Sequence, residues 1–333
     1  MATTNTIGLD VTYLDLANRL GPDNKVATII ELLAKRNAIL EDAVVIEGNL
    51  PTGHKTTVRT GLPSATWRKL NYGVPQSKSE TQQIVDVCGM LEAYAEVDKA
   101  LADLNGNTAA FRLSEDRAFL ESMNQQMAEA LFYESEKVNP ERITGFTPRY
   151  SASSTDPTQS GYNVIKCYSS ASGSDQTSLW FVTWGELQSH LIYPKGSQAG
   201  IVHEDKGQVT LLDANGNKYE GYRSHYKWDI GLVVRDWRYN VRVCNIDVSA
   251  MTTTSEDLYG AMIDAYYRIP DVNSGKTVIY ANRWTISWLH KIALEKGKYN
   301  LNYDNVAGKP ILKFLDIPIK RVDAIKLTED VVA

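Results

Sequence analysis

Two glycine-containing segments come close to a phosphate-binding loop in residue type and spacing. In segment 48–56, GNLPTGHKT, His54 occupies the position of the lysine that contacts the phosphates. In segment 270–277, PDVNSGKT, Pro270 occupies the position of the first glycine. A phosphate loop lies between a strand and a helix whose N–H groups face the phosphate, whereas the second segment leads into a predicted strand. We therefore interpret both segments as plain turns.

The histidines and acidic residues lack the spacing of a metal site. The chain has five histidines: His54, His190, His203, His225 and His290. None pairs with another at a four-residue spacing, and none lies beside a cysteine as in zinc sites. We interpret the triplet 203–205, His-Glu-Asp, as a solvated turn. Segment 213–217, DANGN, begins like a calcium loop, but Lys218 and Ser224 replace the required glycine and glutamate. Its Asn-Gly pair predicts a β-hairpin.

No nucleophile has the neighbours that catalysis needs. The sequence contains no Gly-x-Ser-x-Gly elbow and no catalytic cysteine signature. Cys88 and Cys244 lie in apolar patterns, which predicts small core residues. We therefore predict no catalytic residue, no cofactor, no metal and no enzymatic activity.

Arginines and tryptophans concentrate in the second half. Three arginines could bind a polyanion: Arg235, Arg238 and Arg242. Three aspartates interleave with them: Asp229, Asp236 and Asp247. This alternation favours a charge-paired strand face over a polyanion patch. The tryptophans of this half are Trp180, Trp184, Trp228, Trp237, Trp284 and Trp288. Such side chains occur in cores and in interface hot spots, so the sequence leaves both roles open.

Length and composition are those of a soluble globular protein of about two domains. The net charge of −5 argues against a dedicated nucleic-acid binder but permits a protein that encloses nucleic acid. The three cysteines are an odd number far apart, which favours a reducing compartment. We find no signal peptide and no run of eighteen apolar residues, so we expect a soluble chain synthesised inside the cell.

The sequence of the first half predicts an arm, a ribbon and three helices. An arm precedes a helix over Asn24–Lys35, which has one apolar stripe. Residues 42–87 contain short β-prone runs between glycines and prolines: Ala43–Ile46, Thr56–Arg59 and Thr66–Leu70. They predict a long ribbon with little core of its own. Because an isolated ribbon is marginal in water, it must lie on another surface, which need not belong to the same subunit. A short helix over Tyr94–Leu104 and a long one over Ser114–Glu134, capped by Ser114, follow.

The second half predicts a mixed α/β region after two polar loops, 151–160 and 169–178. The predicted strands are Tyr162–Cys167, Ser178–Thr183, Gln208–Leu212, Leu232–Asn245, Val278–Ala281 and Ile317–Ile325. The predicted helices are Ser255–Tyr267 and Arg283–Glu295. Within 239–243 apolar and polar residues alternate, with Arg238, Asn240 and Arg242 on one face. This period of two predicts a half-buried strand.

Several ordered segments resemble the major capsid proteins of short-tailed bacteriophages. They are Ser178–Gly185 (SLWFVTWG), Ile192–Gly200 (IYPKGSQAG), Gly221–Asn245 with its WDIGLVVRDWRYNVRVCN core, Val278–Leu289 (VIYANRWTISWL) and Phe314–Thr328 (FLDIPIKRVDAIKLT). The arm, ribbon and long helix of the first half occur in the order of that family. The resemblance implies the α+β capsid fold of Hong Kong phage 97 type.

The resemblance also implies a domain organisation and a set of partners. The expected parts are an arm with the first helix (1–41), an extended β loop (42–87), a peripheral domain (88–165) with a spine helix (114–134), a mainly axial domain (166–315) and a C-terminal strand that returns to the body (316–333). The expected product is an icosahedral shell of hexamers and pentamers around packaged double-stranded phage DNA, without sequence-specific binding and without a membrane. It would assemble in the cytoplasm of the bacterial host and become the virion capsid.

Further partners follow from the same resemblance. Arm-like sequence begins directly after Met1, so we expect a separate scaffolding protein rather than a fused assembly domain. A portal protein and a decoration protein are further expected partners. Some members crosslink through lysine and asparagine, but no motif around Lys55, Lys69 or Lys78 supports that chemistry here.

Two alternatives remain open at this point. An encapsulin-like shell protein would enclose protein cargo instead of a genome. A glycan-handling or small-molecule enzyme would use the tryptophan-rich second half, and it would be a monomer or small oligomer with a saturable ligand site.

Overall fold

The computed structural model describes residues 35–104, 108–167, 173–213, 215–249, 255–294, 301–306 and 309–333. The helices are α1 (Ile39–Asp42), α2 (Lys99–Ala102), α3 (Thr108–Tyr133), α4 (Phe146–Arg149), α5 (Ser255–Arg268) and α6 (Arg283–Leu294). Apart from Lys35, the predicted helix Asn24–Lys35 and the arm before it lie outside the described residues.

Strands account for most of the remaining regular structure. They are β1 (Val45–Glu47), β2 (Gly53–Gly61), β3 (Glu80–Val87), β4 (Gly89–Asp98), β5 (Val164–Lys166), β6 (Gln176–Trp184), β7 (Ser189–Tyr193), β8 (Val202–Leu212), β9 (Lys218–Val234), β10 (Asn240–Asp247), β11 (Lys276–Ala281), β12 (Leu301–Val306), β13 (Lys309–Phe314) and β14 (Ile317–Arg321). The mixture of helices and antiparallel and parallel strands confirms the predicted α+β class.

The chain divides into two compact units. The smaller comprises the described residues of Met1–Arg36, Met90–Ala128 and Gly200–Asp229. The larger comprises Asn37–Gly89, Glu129–Ala199 and the described residues of Ile230–Ala333.

In the smaller unit, one face of the sheet formed by β4, β8 and the first part of β9 packs on helix α3. Ala95 of β4, Met123 of α3 and Tyr226 of β9 are buried together. The predicted apolar stripe of the long helix is confirmed, since Met123 and Met127 are 2% and 4% exposed. The helix begins at Thr108, however, not at Ser114. Its early start buries Phe111 against Val97 and Leu101, a core contact that a capping pattern cannot reveal.

The predicted helix Tyr94–Leu104 is wrong for its first half. Strand β4 continues to Asp98, and only the short α2 follows. Every second residue of β4, from 91 to 97, faces the helices of this unit, and the residues between them carry polar groups or a tyrosine. This alternation has the two-residue period of a strand. The side chain of Asp98 then caps α2 by accepting a hydrogen bond from the N–H of Ala100.

The larger unit is built around strand β6, all nine residues of which are buried. β6 pairs antiparallel with β10 and β11, and β11 pairs parallel with β14. On one face Leu179 and Phe181 of β6 pack with residues of α5 and β11. On the other face Trp180 contacts an aromatic cluster that consists of Phe132, Phe146 and Tyr150. Both faces of this sheet are therefore covered.

Because both faces of this sheet are covered, the prediction of a half-buried strand over residues 239–243 is wrong. A short 3₁₀ helix, Trp237–Tyr239, separates β9 from β10, so the single strand Leu232–Asn245 is wrong. In β10 the expected polar face is also buried, with Asn240 at 0% and Arg242 at 2% exposure. An alternating pattern of apolar and polar residues predicts a solvent-exposed strand face only when no other element packs on that face.

The ribbon is a separate antiparallel pair, β2 and β3, whose register runs from Gly53–Val87 to Gly61–Glu80. It confirms the ribbon predicted within 42–87, but residues 66–70 form no strand. The predicted strand Tyr162–Cys167 is shortened to β5 by a 3₁₀ helix, and the terminal strand ends at Arg321 instead of Ile325.

Candidate functional site

The two segments that come close to phosphate loops are turns, as interpreted. Leu50 donates its N–H to the oxygen of Gly53 at 3.0 Å, and Gly53 begins strand β2. The second segment forms a 3₁₀ helix, Val272–Ser274, that leads directly into β11. Neither glycine run is followed by a helix, so neither presents helix N–H groups to a phosphate.

Within the described ranges, no group of three or more His, Cys, Asp or Glu side chains is placed to hold a metal ion. The triplet 203–205 is solvent-exposed as predicted, but it lies in strand β8 and not in a turn. Its Asp205 accepts a hydrogen bond from Arg112 at 2.6 Å. The predicted hairpin 213–217 is confirmed, because Asp213 accepts hydrogen bonds from the N–H groups of Asn215 and Asn217 between β8 and β9.

The three arginines of the second half do not share one face. Arg238 is exposed and pairs with Asp236 at 2.7 Å. Arg242 is buried and pairs with Glu329 at 2.9 Å, a partner far away in sequence. Arg235 donates to the backbone oxygen of Glu186. The expected charge-paired face is therefore limited to the Arg238–Asp236 pair.

Burial divides the tryptophans and cysteines between core and surface. Trp180 and Trp184 are 0% and 1% exposed, whereas Trp67 is 100% exposed. Cys244 is buried as predicted, and burial raises the pKa of its thiol to about 11. Cys88 is only half-buried, so the prediction of a core residue is wrong there.

The ribbon tip, residues 62–79, is the largest concentration of exposed apolar side chains in the described chain. It contains five of them: Leu62, Trp67, Leu70, Tyr72 and Val74, which are 82%, 100%, 86%, 70% and 53% exposed. The tip turns at Lys69–Tyr72, where the N–H of Tyr72 donates to the oxygen of Lys69. Large apolar side chains exposed close together in this way are typical of a protein–protein contact.

The charged side chains of the ribbon tip are all positive. Arg68, Lys69 and Lys78 lie within residues 62–79, and that stretch contains no acidic residue. The tip therefore combines aromatic and aliphatic side chains with net positive charge. Tryptophan, tyrosine and arginine side chains are enriched in protein interfaces, so Trp67, Tyr72 and Arg68 suit a contact with another chain.

The ribbon base is attached to the larger unit by polar contacts. Asp86 of β3, 4% exposed, binds Arg149 of α4 at 2.7 Å, and Arg149 also donates to the oxygen of Leu232 in β9. Gly53 starts β2 where a Cβ would lie 2.1 Å from the oxygen of Asp86. Only glycine permits this close approach of the two ribbon strands.

Two histidines meet at the same base, although they are far apart in sequence. The rings of His54 in β2 and His190 in β7 lie 5.8 Å apart in an edge-to-face arrangement. Burial, and then the positive charge of Arg235, lower the pKa of both imidazoles, that of His190 to about 4. We call His54, Asp86, His190 and Arg235 the ribbon-base cluster. No spacing rule in the sequence signals it, because strand pairing alone brings it together.

The chain segment that leads into the ribbon is held by a buried carboxylate. Asp42, at the end of α1, has a side chain that is 1% exposed and accepts hydrogen bonds from Lys276 at 2.6 Å and from Lys320. Tyr280 donates a further hydrogen bond to it at 3.1 Å. Burial alone would raise the pKa of Asp42, but the hydrogen bonds and charges of the two lysines lower it overall.

We expect Asp42→Asn to lower the free energy of unfolding by about 1–3 kcal/mol, because two lysines lose their anion and Tyr280 loses a strong acceptor. Because the folded state lowers this pKa, the contribution of Asp42 is full at neutral pH and is lost as pH falls below about 4. Urea unfolding of both proteins at pH 7 and pH 3.5 measures this. The difference between them should shrink at the lower pH, and an equal difference at both would contradict the assignment.

The chain matches a chain of the bacteriophage Epsilon15 structure at 39% sequence identity and a TM-score of 0.79, covering 98% of both chains. The capsid of a native GTA particle matches at 9% identity and TM-score 0.46, over 72% of this chain and 100% of that one. The holo-SrpI encapsulin complex from Synechococcus elongatus PCC 7942 matches at 9% and 0.44, over 67% and 92%. No curated protein sequence matches.

An α+β body with an extended two-stranded ribbon is the fold of Hong Kong phage 97 type shell proteins, which confirms the predicted fold class. The family model of the major capsid protein GP7 matches residues 21–333. The chain belongs to this family of bacteriophage major capsid proteins. It is a structural component of the virion capsid, and the remote encapsulin similarity gives the alternative of a cargo-enclosing shell no support. No helix in the described residues is long and apolar enough to cross a membrane.

Proposed function

We propose that copies of this chain associate into hexamers and pentamers, which close into an icosahedral shell around packaged double-stranded DNA. The observation that carries the proposal is the ribbon tip, where five large apolar side chains are 53% to 100% exposed in the single subunit. Exposed apolar surface of this kind is typical of a site that another chain covers. We propose that the covering chain is a neighbouring copy.

We assign the parts of the chain accordingly. Residues 42–87 serve as the extended loop, and helix α3 serves as the spine of a peripheral domain within 88–165. Residues 166–315 form mainly the axial domain, which points to the centre of each hexamer or pentamer, and residues 316–333 return to the body. The family membership and the ribbon support this assignment.

Other partners complete the proposal. A separate scaffolding protein guides assembly in the cytoplasm of the bacterial host, a portal protein occupies one vertex, and a decoration protein binds the finished shell. DNA is enclosed without sequence-specific contacts, which agrees with the net charge of −5. The chain itself catalyses no reaction.

Electron microscopy of the purified chain, expressed alone and together with a scaffolding protein, tests the proposal. We expect closed or aberrant shells, or rings of five or six subunits. A uniform monomer or dimer under every condition would contradict it. In that case a saturable quenching of tryptophan fluorescence by sugars or nucleotides would favour the enzyme alternative.

A further inference from the structure

The ribbon-base cluster contains polar atoms that the fold buries without satisfying. His54, Asp86 and His190 are 7%, 4% and 1% exposed. Both ring nitrogens of His54, Nδ1 of His190, Oδ2 of Asp86 and Nε of Arg235 have no hydrogen-bond partner in the described part of the chain. Burying such groups without partners costs free energy, so the closed arrangement is less stable here than a fully hydrogen-bonded one would be.

The cluster lies between a ribbon and the body that holds it. His54 and Asp86 face each other across β2 and β3, while His190 and Arg235 belong to β7 and to the segment after β9. The further charged group that contacts the cluster is Arg149, which binds Oδ1 of Asp86. Arg149 and Arg235 on the body side are positive, and Asp86 on the ribbon is negative.

We propose that the ribbon-base cluster is a proton-responsive latch, in which protonation of His54 or His190 releases the base of the ribbon from strand β7. A proton on either ring places a second positive charge beside Arg235 in a buried environment. The carboxylate of Asp86 partly offsets this repulsion for His54, so His190, which lies near Arg235 with no acid of the described residues acting on it, dominates the response.

The expected size of the response follows from the imidazole pKa values. The closed latch lowers the pKa of His190 to about 4, and in the open form the ring is hydrated and returns to about 6.5. The open form therefore takes up protons as pH falls from about 6.5 toward 4, and the closed form is lost in that window. For His190 alone, the open fraction should rise about twentyfold between pH 7 and pH 5.

Hydrogen exchange of unassembled full-length subunits tests the latch. The protection factors of peptides from β2 and β3, corrected for intrinsic exchange at each pH, should fall about twentyfold between pH 7 and pH 5 in the wild type. They should be nearly independent of pH in the double variant His54→Gln/His190→Gln. The matched control, His203→Gln/His225→Gln, changes two histidines in β8 and β9 and should respond like the wild type. Equal responses in all three proteins would overturn the latch.

A second measurement keeps the inference testable if the double variant fails to fold. In a histidine-selective NMR titration of the wild type, at least one ring should titrate well below 6.5, and that resonance should be absent in the single variant His190→Gln. If every ring titrates near 6.5, the latch is refuted. Because both tests concern single subunits, their outcome is independent of whether the chain assembles as proposed.

Discussion

We expect that replacing the ribbon tip, residues 62–79, by a two-residue Asn-Gly turn abolishes shell formation and leaves the folded subunit intact. Gly61 and Glu80 are already paired, so a tight turn can close the shortened ribbon at that point. The deleted side chains bury almost nothing in the subunit, so the free energy of unfolding should change by no more than about 1 kcal/mol.

The effect on assembly should be much larger than the effect on stability. Burying an apolar side chain of this size stabilises a contact by roughly 1.5–3 kcal/mol, so five of them contribute on the order of 10 kcal/mol per subunit before the cost of association. Removing that contribution at every repeat of a shell leaves no closed particle. Electron microscopy and sedimentation velocity measure the assembly, and urea unfolding measures the stability.

Point variants separate the apolar contribution from the length of the ribbon. Trp67→Ser/Leu70→Ser keeps the length and should reduce shell yield at least tenfold. Ser79→Ala is the matched control in the same loop and should assemble normally. Normal shells from the tip deletion would contradict the contact that we propose for the ribbon.

The ribbon is a feature that local patterns in the sequence were sufficient to predict. Glycines and prolines around short β-prone runs predicted a ribbon within 42–87, and the scarcity of core residues predicted its exposure. Local patterns also placed strand β6, helix α5 and the hairpin at 213–217, since each depends on residues close together in sequence. They failed at residues 94–98, where the alternation of strand β4 was mistaken for a helix.

Long-range packing explains the remaining differences. Asn240 and Arg242 look like a solvent face in the sequence, and they are buried because an aromatic cluster covers that side of the sheet. His54 and His190 become neighbours only through the contact of the ribbon with strand β7. Neither arrangement has a local signal, because both depend on pairings between distant parts of the chain.

Glu329→Gln is expected to destabilise the subunit by about 3–5 kcal/mol, because it leaves the guanidinium of Arg242 buried without an anion. Glu329 is 7% exposed and accepts hydrogen bonds from Tyr133, Ser178 and Arg242. The amide preserves the shape of the carboxylate, so the loss measures the missing charge. Urea unfolding of unassembled subunits at pH 7 gives the free energy directly.

A surface arginine a few residues away provides the matched control. Arg238 has a side chain that is 58% exposed and pairs with Asp236 in solvent, so Arg238→Gln should cost less than about 1 kcal/mol. Arg242 instead donates to Ser178, to the backbone oxygen of Tyr150 and to Glu329, and its guanidinium lies over the ring of Trp180.

The two variants compare a buried ion pair, Arg242–Glu329, with an exposed one, Arg238–Asp236. Arg242 and Glu329 join β10 to the C-terminal segment across the aromatic face of β6, so losing one charge should loosen the return of 316–333 to the body. If Glu329→Gln costs no more than Arg238→Gln, the ion pair does not fix that segment. If it costs several kcal/mol, the C-terminal segment is held to the core by one buried pair of charges, and its release should precede global unfolding in hydrogen exchange.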